Sequence, residues 1–365
     1  MAKTIALYIS SLRKGGAERV IANLATHFHD MGYRVVLVTT RKEETEYEVP
    51  AGVQRKISEP LKKELGKGRV RDFLTRFRTL REIWKEEKPD VILSFIGKNN
   101  MMAILTSLGM GIPVAVSVRG EPSEEYYSRV LRLLARFLFC FADCVILQTK
   151  QCFAFFPRAV RKKAVILKNP VNEAFFRPRY EGEREKTIVA VGRVDENKNH
   201  EMLIRAFAGI ADEFPDYQLV IYGEGEKRDQ LKELVLQMGL AERVFLPGST
   251  AHVADAIYKT RVFVLSSNTE GMPNTLIEAM LMGLTVVSTD CPCGGPAELI
   301  QNDYNGILIP VGEVDKLQEK MQFLLNNLQE ADRIGINAMK TNVIYNPERV
   351  YGEWRNCLEN LMKRK

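Results

Sequence analysis

Short apolar runs alternate with longer helical stretches along almost the whole chain of 365 residues. Each run holds three to six residues rich in Val, Ile and Leu. Such runs are typical of parallel strands that helices cover on both faces, so the alternation predicts an α/β fold. The predicted strands are Thr4–Ile9, Arg34–Val38, Asp90–Phe95, Val114–Val118, Cys144–Leu147, Lys186–Val191, Gln218–Tyr222, Val244–Leu246, Val262–Leu265, Thr285–Ser288 and Gly306–Ile309.

The strands fall into two series, which predict two Rossmann-like domains. A chain of this length exceeds one ordinary domain. The series separate near Asn169–Glu185, a polar stretch that contains prolines and shows no periodicity. Ligands of open α/β sheets bind where strands end and loops enter helices. We therefore expect the chemistry in such loops, at the cleft between the two domains.

Charge is shared unevenly between the two halves of the chain. Residues 1–170 carry 30 Lys and Arg against 17 Asp and Glu, a net charge of +13, while the rest carries 22 against 29, a net charge of −7. A basic first half can face nucleic acid, an anionic membrane or a phosphorylated substrate. With 45% hydrophobic and 27% charged residues, the composition excludes a disordered, collagenous or coiled-coil chain.

The cysteines and the apolar segments favour a cytoplasmic protein without a transmembrane span. The six cysteines include no CxxC pair of a zinc site, so we expect reduced thiols. The N-terminus runs into a strand without the features of a signal peptide. Residues Asn99–Val118 are uncharged over 20 positions, but Gly109, Gly111 and Pro113 interrupt them. They predict a buried helix, a turn and a buried strand.

Two loops that follow predicted strands could bind phosphate. Ser10–Gly16, SSLRKGG, has paired glycines before a helix that begins near Ala17, where backbone N–H groups can approach an anion. It lacks the GxGxxG pattern and fits a plain turn equally well. Val191–Lys198, VGRVDENK, places Arg193 and Lys198 before a second helix. Two cations there can clamp a diphosphate, or they are solvated loop charges.

The most specific segment is Ser266–Met282, SSNTEGMPNTLIEAMLM. Glu270 falls in a loop, and Glu278 lies about one turn into a helix that Pro273 and Asn274 begin. Both carboxylates can accept hydrogen bonds from the hydroxyls of one sugar or ribose. The alternative is a capping Glu and an exposed helix Glu. The neighbouring GMPN and CPCGGPAELI sequences favour the ligand site.

The segment EGMPNTLIEAMLMGLTVVSTDCPCGGPAEL resembles the E-x7-E signature region of the family 4 glycosyltransferases, which have the GT-B fold. Three other pieces stand in that family's order, namely a paired-glycine loop, a G-R…K set and a GEGE segment, at Gly15–Gly16, Gly192–Lys198 and Gly223–Glu226. The resemblance covers nearly the whole chain and is strongest in residues 186–310.

The resemblance implies a retaining transfer from a UDP-sugar, with no metal or other cofactor. Arg193 and Lys198 would neutralise the diphosphate leaving group, which stabilises the transition state electrostatically. Glu278 would bind the ribose and Glu270 a hydroxyl of the donor sugar. Arg193, Lys198 and Glu270 are thus the catalytic candidates, and no protein nucleophile is proposed. The implied donor site consists of Gly15, Gly16, Gly192, Arg193, Lys198, Glu224, Glu270, Gly271, Met272, Asn274, Thr275, Leu276 and Glu278.

The resemblance also assigns roles to the two domains, which would face each other across the cleft. Residues 1–170 would form the acceptor-binding domain and residues 171–346 the nucleotide-sugar-binding domain. Residues 347–365 would form a helix that packs back on the first domain.

The first domain departs from the family pattern at one place. Many members carry a His after the fifth strand, where this chain has Arg119 in the sequence SVRGEPSEEY. Arg119 and Glu121 are candidates for contact with the donor sugar or the acceptor. The alternative is a structural ion pair of Arg119 with Glu121 or Glu124.

Basic amphipathic helices account for much of the surplus positive charge. In Arg69–Lys85 apolar residues recur at spacings of three and four with arginines between them, as in helices that lie on an anionic membrane. Tyr126–Phe141 repeats the pattern. The alternative is a helix whose apolar stripe packs on the sheet. The candidate membrane contacts are Arg69, Arg71, Phe73, Arg76, Phe77, Arg78 and Arg81.

We therefore expect a peripheral enzyme on the cytoplasmic face of a membrane. Its acceptor would be a lipid-linked saccharide, such as a polyprenyl diphosphate glycan of cell-surface polysaccharide assembly, because the family often uses such acceptors. The absence of a nucleic-acid motif and the acidic second half argue against nucleic acid. Two alternatives stay open, a sugar-nucleotide epimerase or hydrolase of the same fold and a non-catalytic GT-B scaffold that binds lipid or polyanions.

Overall fold

The structure of the chain is a computed structural model that describes residues 2–13, 15–60, 65–66 and 68–363. The chain divides into two compact units. The first comprises Met1–Pro170 with Pro347–Lys365, and the second comprises Val171–Asn346.

Each unit is built on a parallel sheet. The strands are β1 (Thr4–Ile9), β2 (Arg34–Thr39), β3 (Gln54–Ile57), β4 (Val91–Phe95), β5 (Val114–Ser117), β6 (Cys144–Leu147), β7 (Ala164–Ile166), β8 (Glu185–Val191), β9 (Gln218–Tyr222), β10 (Val244–Gly248), β11 (Thr260–Leu265), β12 (Thr285–Thr289) and β13 (Ile307–Ile309). Among the described residues the first sheet has the order β3-β2-β1-β4-β5-β6-β7 and the second β10-β9-β8-β11-β12-β13. In both sheets the order therefore reverses beside the unit's first strand.

Helices connect these strands. They are α1 (Gly16–Asp30), α2 (Arg69–Glu87), α3 (Gly97–Ser107), α4 (Pro122–Glu125), α5 (Arg129–Leu138), α6 (Arg158–Arg161), α7 (His200–Ala211), α8 (Arg228–Gln237), α9 (Val253–Tyr258), α10 (Asn274–Leu281), α11 (Gly295–Leu299), α12 (Val314–Asn326), α13 (Leu328–Ala338), α14 (Asn342–Tyr345) and α15 (Pro347–Met362). The last two residues of the predicted C-terminal helix, 364 and 365, lie outside the described residues.

Alternate residues of the second sheet enter two separate cores. Ile188 and Val262 pack in one core, while their neighbours Val189 and Phe263 pack in the other. Since successive strand residues point to opposite faces, helices cover this sheet on both sides. That burial explains why its strands read as continuous apolar runs.

The α/β fold is confirmed, and each of the eleven predicted strands is present with both ends within two residues of the prediction. Two edge strands were not predicted. β3, QRKI, has no apolar run because an edge strand pairs on one side and meets water on the other. β7, AVI, has only three residues. Both form because a neighbouring strand supplies hydrogen-bond partners.

The uncharged stretch Asn99–Val118 contains most of α3, a turn and β5, as predicted. No helix in the part of the chain that the structure describes is long and apolar enough to cross a membrane.

The C-terminal helix α15 packs in the core of the first unit. Trp354 is completely buried there, with its ring centroid 5.9 Å from that of Phe95. Its indole N–H donates to the carbonyl oxygen of Lys168 at 2.8 Å. The hydroxyl of Tyr33, which precedes β2, donates to the carboxylate of Glu359. The helix is thus tied to residues far away in the sequence.

Replacing Trp354 by Ala should destabilise the first unit by about 3–5 kcal/mol, because it leaves a cavity and an unpaired carbonyl. Trp354→Phe keeps most of the ring volume and should cost less. Peptide-resolved hydrogen exchange of the full chain is the measurement. We expect faster exchange in residues 1–170, whereas the matched change Phe207→Ala, at a buried α7 residue, should act on the second unit. Equal effects of both variants on both units would contradict this account.

Candidate functional site

The strand order of the second sheet reverses between β8 and β11. The loop after β8 leads to α7, and the loop after β11 leads to α10. The carboxyl ends of two neighbouring strands whose connections diverge are where open α/β sheets bind ligands. Both sequence segments that predicted a ligand site in this unit lie in these two loops.

Side-chain amides join the two loops. Asn197 donates from Nδ2 to the carbonyl of Thr269 at 3.0 Å, and its Oδ1 accepts from the N–H of Thr269 at 3.0 Å. The N–H of Asn268 donates to the carbonyl of Asn197 at 2.7 Å. These bonds hold Lys198 and Glu270, which follow different strands, in a fixed relation.

Lys198 and Glu270 form an ion pair, with Nζ 2.5 Å from Oε1. The side chains are only 14% and 13% exposed. The hydroxyl of Ser267 donates to the same carboxylate oxygen at 2.7 Å. Partial burial makes the charge of each partner costly without the other. An anionic ligand would therefore have to replace or share Glu270 as the partner of Lys198.

Close backbone packing places the Lys198 side chain. A Cβ on Gly192 would lie 3.1 Å from Cε of Lys198, so glycine leaves room for that side chain. A Cβ on Gly223 would lie 1.8 Å from the carbonyl oxygen of Gly192, so any side chain there would displace the loop. The GEGE segment is thus in contact with the G-R…K set.

The loop that contains Glu270 rests on the CPCGGPAE segment. The N–H of Glu270 donates to the carbonyl of Pro292 at 3.3 Å. A Cβ on Gly295 would lie 1.8 Å from the carbonyl oxygen of Gly271. Met272 is buried beside them. The second half of the signature region therefore supports the first half.

Helix α10 carries the remaining donor-site candidates of this loop. Asn274 and Thr275 occupy its first turn and are half-buried, while Leu276 packs in the core. The first-turn N–H groups of a helix favour an anionic ligand. Glu278 is 1% exposed, which excludes the alternative of an exposed helix Glu. Its carboxylate can meet a ligand only if the surrounding side chains open.

Arg193 and Glu224 lie at the surface of the same edge. Arg193 is 66% exposed and pairs with Asp195 at 3.0 Å rather than with Glu270. Glu224 is also exposed and lies 3.6 Å from Arg228. The structure thus brings Lys198 and Glu270 into direct contact but leaves the Arg193 guanidinium outside their ion pair.

In the first unit the paired glycines lie at the corresponding reversal, between β1 and β4. Gly15 precedes α1, which Gly16 begins. A Cβ on Gly15 would lie 2.4 Å from the carboxylate of Glu18, so this acidic side chain folds over the glycine. Asn99 of α3 donates to Ser10 at 2.9 Å and fixes the start of the loop. The role of Gly15 and Gly16 toward a donor stays a prediction.

The guanidinium of Arg119 makes its direct contacts with neutral groups, and the carboxylates of Glu125 and Glu18 act on it from a greater distance. It donates to Oδ1 of Asn169 at 2.6 Å, and its guanidinium lies 4.8 Å from the ring centroid of Phe95. Burial lowers the pKa of Arg119 to about 10. Glu121 accepts from the N–H and hydroxyl of Ser123 at the start of α4.

A carboxylate not singled out in the sequence fixes the backbone of this segment. Glu125 accepts from the N–H groups of Gly97, Arg119 and Gly120 at 3.0, 2.6 and 2.7 Å. Burial raises the pKa of Glu125, and these three hydrogen bonds oppose the rise. Contact of Arg119 or Glu121 with a substrate stays a prediction.

Helix α2 contains the predicted membrane contacts. It packs on the body of the unit through Leu80 and Trp84. Arg76 pairs with Glu59 at 2.7 Å, and Arg81 donates to the carbonyl of Thr106 at 2.7 Å. Of the other predicted membrane contacts, Phe77 is half-buried. The exposed ones are Arg69, Arg71, Phe73 and Arg78.

Several residues beside the ion pair carried no recognisable signal in the sequence. Ser267 donates to Glu270 and Asn197 joins the two loops, and both contacts exist only once the loops have folded together. Cys291 lies near Glu270, and burial followed by that negative charge raises the pKa of its thiol to about 12. The thiol is therefore not a nucleophile at neutral pH. In the described ranges, no group of three or more His, Cys, Asp and Glu side chains could hold a metal ion.

Two Rossmann-like units, each with a parallel sheet whose strand order reverses beside its first strand, make up a GT-B fold. Two family models match the chain, the Glycosyl transferase 4-like domain over residues 15–166 and Glycosyl transferases group 1 over residues 171–341. The chain belongs to the group 1 glycosyltransferases of family 4 type. It is a glycosyltransferase, which decides against the epimerase, hydrolase and non-catalytic alternatives.

Relatives support this assignment along the full length. The chain is 26% identical, over 96% of its length and 96% of the other, to the GalNAc-alpha-(1->4)-GalNAc-alpha-(1->3)-diNAcBac-PP-undecaprenol alpha-1,4-N-acetyl-D-galactosaminyltransferase of Campylobacter jejuni. Sucrose-phosphate synthase of Thermosynechococcus elongatus shares the fold, with a TM-score of 0.85, 18% identity and full coverage of both chains. HepE of Anabaena, solved with UDP and glucose, has a TM-score of 0.81 at 18% identity and covers 98% of this chain and 100% of its own.

His200, the first residue of α7, gives the site a measurable pH dependence. Burial and the charge of Lys198 lower the pKa of His200 to about 4. An unfolded chain binds this proton below about pH 6.5, whereas the folded chain does not until about pH 4. The free energy of unfolding should therefore fall by up to about 3 kcal/mol as the pH falls through this window.

Urea unfolding at pH 7, 5.5 and 4.5 tests this expectation. His200→Leu should lose much less stability between pH 7 and 4.5 than the wild type does. His252→Leu, at an exposed histidine, is the matched control and should follow the wild type. Identical pH profiles for all three proteins would show that His200 has no such role.

Proposed function

We propose that this glycosyltransferase transfers a sugar from a UDP-sugar to a lipid-linked saccharide and retains the configuration at the anomeric carbon. The observation that carries the proposal is the half-buried ion pair of Lys198 and Glu270 at the reversal of the second sheet. In this pair, an ammonium group that can bind an anion lies directly beside a carboxylate that can accept a hydrogen bond from a hydroxyl.

The chemistry of a nucleotide sugar fits these two groups. When the bond between the anomeric carbon and the diphosphate oxygen breaks, negative charge accumulates on the diphosphate. Lys198 would stabilise that charge as a half-buried cation, and the exposed Arg193 would exchange Asp195 for the diphosphate from the surface. Glu270 would exchange Lys198 for a sugar hydroxyl, with Ser267 keeping the carboxylate in place.

Retention is proposed from the resemblance to family 4, and we propose that it needs no protein-bound intermediate. The Cys291 thiol is neutral, and Glu270 already accepts two hydrogen bonds from Lys198 and Ser267. We therefore assign these carboxylate and ammonium groups to binding and charge stabilisation. No metal is part of the proposed reaction.

Two observations support a lipid-linked acceptor. The relative from Campylobacter jejuni is named for a saccharide on undecaprenyl diphosphate. The first half of the chain carries a net charge of +13, which suits an anionic diphospho-lipid.

A solved structure supports the donor assignment. HepE, which shares the fold, was solved with UDP and glucose, in accord with a uridine nucleotide as donor.

Thermal shifts with UDP-, GDP- and ADP-sugars test the donor assignment. A UDP-sugar at 100 times its dissociation constant should stabilise the protein by about 2.7 kcal/mol, and the other nucleotides should do so much less. Lys198→Ala should lose the shift and lower sugar transfer by about 100- to 1,000-fold. Lys186 forms an exposed ion pair with Asp216, so Lys186→Ala is the matched control. It should retain both the thermal shift and the rate of sugar transfer.

A normal turnover of UDP-sugars by Lys198→Ala would overturn the site assignment. A preference for GDP- or ADP-sugars would leave the site in place and correct the donor. Retention is read from the anomeric proton of the product by NMR, and inversion there would contradict the proposed stereochemistry.

Glu278 should contribute the recognition of ribose. The wild type should bind UDP more tightly than 2′-deoxy-UDP, because a carboxylate hydrogen bond contributes about 1.5–3 kcal/mol. Glu278→Gln should weaken the binding of UDP and reduce the difference in affinity between UDP and 2′-deoxy-UDP, as measured by calorimetry. Glu298→Gln, at an exposed carboxylate of α11, is the control. An unchanged ratio of the two affinities in Glu278→Gln would exclude contact with the 2′-hydroxyl.

A further inference from the structure

Helix α5 presents an apolar face to solvent. Val130, Leu133, Leu134 and Phe137 are 66%, 68%, 45% and 62% exposed. They recur at spacings of three and four, so they share one side of the helix. A soluble protein scatters its exposed apolar residues, and such a continuous stripe marks an interaction surface.

Packing of α5 on the first unit does not need this stripe. The side of the helix toward the body carries other apolar residues, of which Ala135 is completely buried and Leu131 and Leu138 are half-buried. At 100° per residue this side lies about a quarter-turn or more from the exposed stripe. The helix thus has two apolar faces, and only one of them stabilises the fold.

An exposed aromatic residue flanks the helix on each side. Tyr127 before it and Phe141 after it are 67% and 50% exposed. The ring of Phe141 meets that of Phe137 edge to face, with centroids 5.3 Å apart. We call the whole surface the α5 patch, which consists of Tyr127, Val130, Leu133, Leu134, Phe137 and Phe141.

Exposed arginines border the α5 patch on one side, in a basic part of the sequence. From Tyr126 to Lys168 the chain carries nine Lys and Arg against one acidic residue, Asp143. The Asp143 carboxylate accepts from the N–H of Val114 at 2.8 Å, inside the unit. Arg129 and Arg136 are exposed on the side of α5 next to the stripe. An exposed apolar strip bordered by arginines is the chemistry of a helix that lies in a membrane interface.

We propose that the α5 patch is the surface by which this protein binds an anionic lipid bilayer, with α5 lying in the plane of the interface. The apolar side chains would enter the region between headgroups and acyl chains, and Arg129 and Arg136 would reach lipid phosphates. A second copy of the chain is the less suitable occupant, because two such patches would bring like charges together. The inference depends on neither the donor nor the acceptor proposed above.

Helix α2, the segment singled out by the sequence, is less suited to this role. It carries four acidic residues among its 19 positions, and α5 carries none among its 10. Arg76 and Arg81 of α2 are used by Glu59 and by backbone carbonyls inside the unit. Three apolar residues of α2, Val70, Phe73 and Leu74, are nevertheless exposed, and they provide a matched comparison.

Co-sedimentation of the full chain with vesicles tests the proposal. The probes are vesicles of phosphatidylcholine alone and of phosphatidylcholine with phosphatidylglycerol. The wild type should bind the anionic vesicles more tightly. Val130→Ser, Leu133→Ser and Phe137→Ser together should weaken that binding by about tenfold or more, because they remove the inserted surface. Arg129→Gln and Arg136→Gln should each weaken it by about fivefold.

The matched control replaces Val70, Phe73 and Leu74 of α2 by Ser, an equal number of exposed apolar residues. This variant should bind anionic vesicles like the wild type. All replaced side chains are exposed, so the thermal unfolding midpoints should stay close to that of the wild type, which shows that lost binding is not lost folding.

A tryptophan reporter gives the position of the helix directly. Both native tryptophans, Trp84 and Trp354, are completely buried, so a new one on the surface dominates any change on binding. Phe137→Trp should shift its emission to the blue on anionic vesicles and be quenched by brominated lipid. Phe73→Trp on α2 should show neither effect.

Four outcomes would overturn the proposal. The wild type and the α5 variant could bind anionic vesicles equally, or neither could bind. The α2 variant alone could lose binding, which would assign the membrane surface to α2. Sedimentation velocity could show a wild-type dimer that the α5 variant abolishes, which would assign the patch to a second copy of the chain.

Discussion

The pairing of β8 with β11 is the constraint on which the second unit's chemistry depends. These strands are 69 residues apart from the end of one to the start of the other, yet their carboxyl ends are neighbours because the strand order reverses there. The amide of Asn197 then fastens one loop to the other through Thr269. Without that register, Lys198 and Glu270 would be two solvated loop charges. With it, they form a half-buried pair in which each charge needs the other.

The two units treat their key cations differently. Lys198 is compensated by a carboxylate, so a ligand diphosphate competes with an existing anion. The guanidinium of Arg119 contacts the amide of Asn169 and the ring of Phe95, and the charges of Glu125 and Glu18 oppose the lowering of its pKa by burial. The second unit thus pairs its cation directly with a carboxylate, whereas the first unit surrounds its cation with neutral groups and has carboxylates at a greater distance.

Much of the fold and part of the site follow from local pattern. The buried strands can be predicted from the sequence because both of their faces must be apolar, which produces a continuous apolar run. The edge strand β3 has no such requirement, so its sequence contains no apolar run. Lys198 and Glu270 were identifiable since each sits in a loop after such a strand. Ser267, Asn197 and Glu125 were not, because a serine, an asparagine or a glutamate acquires its role from atoms that are distant along the chain.

The sequence by itself determined that α2 and α5 are basic amphipathic helices, since their periodicity is a property of consecutive residues. Only the tertiary structure decided which apolar face each helix leaves uncovered. Leu80 and Trp84 turn the main stripe of α2 inward, while Ala135 lets α5 rest on the body with its larger side chains outside. The physical reason is that a side chain is buried only where another surface covers it, and that surface comes from a distant part of the chain. For the same reason, the sequence shows that the loops of Lys198 and Glu270 are charged, but only the tertiary structure shows that they form one site.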